Sequence, residues 1–130
     1  MSRRNVERLR DVYAGLNAGV DDPMLDLLHP EFVYDTREEL PGRGSFPKQE
    51  FLDRLAELRE TFDEIRFEPE EFISSGENVV VVVRGTGVGR ASGVPVGGRL
   101  FHVWKFENAH ASSLGIYSDR DAALESAGLR

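Results

Sequence analysis

The chain has 130 residues, 40% of them hydrophobic and 30% charged, with a formal net charge of −7. That length fits a single domain spanning 1–130, and the absence of cysteine excludes a disulfide framework, a thiolate metal site and a cysteine nucleophile. The acidic balance disfavours binding to nucleic-acid phosphates, and no apolar run approaches the roughly 18 residues a membrane span needs.

Val6, Leu9, Val12, Tyr13 and Leu16 recur at helical spacing and predict a first helix over 3–18. Asn17-Ala18-Gly19 reads as its end, with Gly19 free to take the left-handed conformation. A short second helix follows, capped by Asp22, with Pro23 in its first turn and Pro30 as its stop. Phe32-Val33-Tyr34 reads as a short strand, and residues 36–46 as an exposed loop. A third helix starts near Pro47, with Phe51, Leu52, Leu55, Leu58 and Phe62 as its stripe.

The period then changes. Ile65, Phe67, Phe72 and Ile73 mark one strand. Val79 to Val83 is a β-branched run that predicts a strand buried on both faces. After a turn at Ser92-Gly93, a long strand is expected over 98–106, and a last strand over 111–117. Asp119 should cap a C-terminal helix closed by Gly128.

This order predicts an α+β fold: a cone-shaped roll in which a curved, mainly antiparallel sheet wraps around N-terminal helices and leaves a cavity. The double-faced valine strand needs a second cover, which another subunit would supply. A homodimer through the sheet face is therefore expected, with Phe101 and Val103 near its centre. The three histidines, His29, His102 and His110, lie far apart in sequence, so no metal site and no cofactor are expected. The N-terminal residues carry no apolar leader region, so a cytoplasmic protein is expected.

Three features resemble a known family: the order of elements, the Leu16-Asn17-Ala18-Gly19 helix end, and the tail from Phe101 to Phe106 and Tyr117 to Leu129. Together they look like the SnoaL-like group of the nuclear transport factor 2-like, ketosteroid isomerase-like superfamily. The Asp-Arg-x-x-Ala-Leu-x-x-Ala-Gly-Leu tail resembles bacterial members in particular. The resemblance implies the cone fold and a small apolar organic ligand. It does not imply one activity, because the fold hosts isomerases, cyclases, hydrolases and plain binding modules.

Asp35 follows the short strand. Facing an apolar cone it would act as a proton-transfer base, and steroid isomerases keep their catalytic aspartate at the matching place. Its plainer role is to begin a loop. His102 shares one strand face with Leu100, Trp104 and Phe106, opposite Phe101, Val103 and Lys105. The resemblance places His102 where the isomerases keep a protonated oxyanion donor, and an imidazole makes the same hydrogen bond. Its plainer role is a bonded core histidine. Trp104, Phe106, Val12, Tyr13 and Leu16 are expected to wall the ligand pocket.

The chain also departs from its relatives. The isomerases' helix tyrosine aligns with Val12; Tyr13 lies about 100° round the helix. The cyclases' late aspartate aligns with Ser118. An arginine for epoxide-hydrolase chemistry would be Arg84 or Arg99. The expected chemistry is cofactor-free proton transfer by Asp35 and His102 on a carbonyl compound, or binding alone in the same cavity.

Overall fold

The computed structural model describes residues 2–36 and 44–129. Its elements are α1 (Ser2–Ala18), α2 (Asp22–Leu27), β1 (Leu28–Thr36), β2 (Gly44–Pro47), α3 (Lys48–Thr61), β3 (Phe62–Ser75), β4 (Asn78–Gly89), β5 (Pro95–Glu107), β6 (His110–Tyr117) and α4 (Arg120–Ser126). The strands form one sheet in the order β2-β1-β6-β5-β4-β3. β1 runs parallel to β6; every other neighbouring pair is antiparallel. This is the expected α+β architecture. Register shifts in β1 and in β6, and in β3 against β4, interrupt the ladders, and such bulges bend a strand. No helix among the described residues is long and apolar enough to cross a membrane.

Both ends of the family-like sequence pattern have a local cause. α1 closes with Val20 N–H bonding the Gly15 carbonyl at 2.8 Å and Gly19 N–H bonding that of Leu16 at 3.4 Å, while Gly19 adopts φ +77. α4 closes the same way, through Leu129 to Leu124 at 2.8 Å and Gly128 to Glu125 at 3.0 Å. These are Schellman caps, which need a residue with positive φ. At the start of α4 the Asp119 carboxylate accepts from Ala122 N–H at 3.1 Å, as its expected cap role requires. Such a cap contributes about 1 kcal/mol.

Asn17 fixes where α1 meets the sheet. Its amide donates to the Phe67 carbonyl at 3.0 Å and accepts from Phe67 N–H at 2.7 Å. One side chain thus answers both backbone groups that β3, the last strand of the sheet, turns outward at Phe67.

Four local expectations change. Asp21, not Asp22, stands at the start of α2, and Arg59 takes its carboxylate through two bonds of 2.7 and 2.8 Å. Pro30 ends no helix; it lies in β1, where the register with β6 is interrupted and its missing N–H breaks no ladder. Of the expected loop at 36–46, residues 37–43 lie outside the described residues, and Gly44–Pro47 is strand β2. β5 begins at Pro95 rather than Gly98, because β4 pairs with it as far as Val88.

The valine strand feeds two cores. Val79, Val81 and Val83 join Trp104, Phe106, Leu9, Val12 and Met24 on the inner face. Val80 and Val82 join Phe101, Val103 and Tyr117 on the outer face, where Ala123 and Ala127 of α4 pack over them. A fully buried valine contributes roughly 1.5–3 kcal/mol, so this strand holds much of the fold together. Within one chain, α4 supplies a cover for this part of the outer face. Phe101 is only 8% exposed and Val103 1% within one chain. They are not the centre of an open patch.

α3 is seated differently. None of its side chains is fully buried. Its C-terminal end is tied down by the Arg59–Asp21 pair, and Arg90 donates to the Arg59 carbonyl at 2.9 Å.

Candidate functional site

Between α1, α3 and the inner face of the sheet lies a cavity of about 420 Å³. That is the size of a site for a small organic molecule. α1 contributes Tyr13 and Leu16, and β5 contributes Leu100, His102 and Trp104. Tyr34 of β1, Phe67 of β3, and Leu114 and Ile116 of β6 complete the sheet side. α3 supplies the facing wall with Phe51, Arg54, Leu55, Glu57, Leu58 and Thr61, and Met24 of α2 closes one corner.

The deepest polar feature is a chain of three side chains. The Trp104 indole N–H donates to the Tyr13 hydroxyl oxygen at 3.0 Å. The same hydroxyl lies 2.6 Å from His102 Nδ1, and the two rings stack with centroids 5.8 Å apart. All three residues are buried. An indole N–H can only donate, so the tyrosine oxygen accepts from it, and the buried phenol proton has no acceptor other than His102 Nδ1 among the described residues. Burial pushes the His102 pKa down to about 4, so the ring is neutral near pH 7. Burial also raises that of Tyr13 well above a normal phenol, so its proton stays in place. A neutral imidazole that accepts at Nδ1 must carry its proton at Nε2. Nε2 has no protein partner among the described residues, and no described polar side-chain atom is both fully buried and unbonded. His102 therefore presents an N–H donor to the cavity.

Of the expected pocket residues, Tyr13, Leu16, His102 and Trp104 lie on this wall. Val12 and Phe106 are buried in the inner core without lining the cavity. Asp35 is on the other side of the sheet. It lies in an outer groove with Val103, Lys105, Ser113 and Glu125, and its carboxylate accepts from Ser45 Oγ at 3.5 Å. The cause is strand parity. β1 continues to Thr36, Phe32 and Tyr34 point inward, and Asp35 must point outward. Asp35 and His102 thus do not converge.

Sequence reasoning also missed residues. Tyr34 was legible, since it shares the period-2 face of Phe32. Arg54 follows Phe51 by one helical turn and so shares the apolar stripe of α3. Arg84 and Arg99 face outward, both bonded to Glu70, at 3.5 and 2.8 Å. Among the described residues, the arginine that reaches the cavity is Arg54.

The sequence matches the SnoaL-like domain family model over residues 9–113. The chain belongs to the SnoaL-like domain family. No curated protein sequence matches it significantly. Among solved structures, this SnoaL-like chain is similar to an NTF2-like protein of unknown function from Burkholderia pseudomallei, with 22% identity, 93% of this chain and 95% of that one covered, and a TM-score of 0.75. A candidate SnoaL-like polyketide cyclase from Jannaschia is 18% identical, with 99% and 94% covered and a TM-score of 0.78. TerC, co-crystallised with polyporic acid, is 22% identical, with 95% and 98% covered and a TM-score of 0.74. At these identities the likeness establishes the shared fold.

Proposed function

We propose that this SnoaL-like protein binds a small, mostly apolar organic molecule whose oxygen accepts a hydrogen bond from His102 Nε2–H. The observation that carries this is the one-way chain from Trp104 through Tyr13 to His102, which leaves a fixed donor in an apolar cavity. A ketone carbonyl or a phenol oxygen suits that donor. The co-crystallisation of TerC with polyporic acid supports an organic ligand in this fold. Proton transfer by Asp35 is dropped from the reading, since the sheet separates it from the cavity. Among the described residues, the single carboxylate on the cavity wall is Glu57. If the protein is also an enzyme, Glu57 is the base and His102 stabilises the developing enolate oxygen.

Trp104 is the chain's one tryptophan, so its fluorescence reports on the site directly. Titration with para-hydroxybiphenyl should change that fluorescence saturably. His102→Leu should weaken binding about tenfold, the effect of losing one hydrogen bond in a dry site. An unchanged affinity in that variant would remove His102 from the site. Deuterium exchange into an enolisable ketone bound in the same cavity, lost in Glu57→Gln, would establish the enzyme over the binder.

A homodimer through the outer sheet face belongs to the same proposal. Its contact would lie on the strip beside α4, around the exposed Val33 and the half-buried Ser113. Sedimentation at micromolar concentration should give a dimer, and Ser113→Arg should give a monomer. A monomeric unaltered protein would end this proposal.

A further inference from the structure

The ligand-binding reading, on which this step rests, leaves a second polar end of the cavity unexplained. Arg54 lies on the α3 wall. Its Nε bonds the Glu50 carboxylate at 3.1 Å, and its guanidinium sits 4.1 Å from the centroid of the Phe46 ring. These two contacts fix the plane of the group. They leave both Nη nitrogens without a partner among the described residues. Tyr34 lines the same cavity, and its hydroxyl likewise has no hydrogen-bond partner among the described residues. Burial raises the Tyr34 pKa while the Arg54 charge acts against that rise, which places the two groups within electrostatic reach.

The polar groups of the cavity are thus biased toward donation: His102 Nε2–H from the sheet, and Tyr34 O–H with the Arg54 Nη groups from the other side. Among the described lining residues, the acidic exception is the Glu57 carboxylate, which is exposed, so water and salt screen its charge. A ligand must bring acceptors to match the donors. A guanidinium with two free nitrogens fits a carboxylate better than it fits a neutral oxygen, because two parallel charge-assisted bonds form. We infer that the ligand is a two-ended apolar acid: a neutral oxygen meets His102, and an acidic oxygen, a carboxylate or an ionised hydroxyl, is held by Arg54 and Tyr34.

Two probes that differ only in the acid test this. They are para-hydroxybiphenyl and the same molecule with a carboxylate on its far ring, each titrated against Trp104 fluorescence. The acid should bind roughly ten- to a hundredfold more tightly than the phenol, the usual effect of a hydrogen bond to a charged partner. The unaltered protein alone gives this ratio. In Arg54→Met, which keeps apolar contact with Phe46, the ratio should fall to near one. Tyr34→Phe should lower it by a smaller factor. If the two probes bind alike, or the ratio survives in Arg54→Met, the two-ended ligand is wrong and the binding reading stands. If neither probe changes the fluorescence, the binding reading itself has failed.

Discussion

Acidification from pH 6.5 to pH 4 will cost the protein about 3 kcal/mol of stability through His102 alone. The His102 pKa falls from 6.5 in the free side chain to about 4 in the fold, because burial penalises the charged ring. Between those values the unfolded chain binds a proton that the folded chain refuses. Stability therefore rises with pH across that window and is complete above it. Protonation would also place a second donor, Nδ1–H, against a tyrosine oxygen that already accepts from Trp104. The carboxylates held low by arginines, Asp21 by Arg59 and Glu70 by Arg99, lose their contribution at lower pH, as they protonate. The measurement is the urea midpoint from pH 7 to pH 4 in the unaltered protein and in His102→Gln. The difference between the two curves should close as pH falls. A constant gap would mean that His102 titrates normally.

Tyr13→Phe should destabilise the fold by about 2–4 kcal/mol. The change removes no volume from the ring. It leaves the buried Trp104 N–H without an acceptor and His102 Nδ1 without a donor. Each unsatisfied buried group costs about 1–3 kcal/mol. The variant should also release the imidazole from its single tautomer, so an Nδ1–H form appears beside Nε2–H and phenol affinity drops. Nitrogen chemical shifts of the His102 ring report the tautomer, and urea unfolding reports the stability. Full stability in Tyr13→Phe would show that the two hydrogen bonds linking Trp104, Tyr13 and His102 do not hold the inner wall.

The sequence carried the fold through its changes of period. The alternation in β5 correctly put His102 and Trp104 on one face and Phe101 and Val103 on the other. The site was less legible, for three separate reasons. The sequence suggests that the strand stops before Asp35, although the same alternation, carried through Phe32 and Tyr34, turns it outward. The pairing of Tyr13 with His102 spans 89 residues, and no local pattern encodes it. The cover over the outer face was hidden because α4 packs through Ala123 and Ala127, small residues that leave only a faint apolar stripe. Arg54 was obscured by its type. Its position on α3 is apolar, and only its long stem lets a charge sit there.

The unequal seating of the cavity walls decides where the molecule breathes. The sheet wall that carries His102 is paired to β4, whose five valines are at most 4% exposed and are shared by two cores, bonded to neighbours on both sides. Opening it would melt both cores together and approach the cost of global unfolding. α3 has no fully buried side chain, and its firmest tie, Arg59 to Asp21, lies near one end. Local opening follows the cheapest set of contacts. On the proposed binding reading, α3 is the wall expected to open for a guest, swinging about its Arg59 end while the sheet that carries His102 stays still. His102 stays on the fixed wall and Arg54 rides on the moving one, so on this reading a substitution at the Arg59–Asp21 tie should change the rate of exchange without touching either donor.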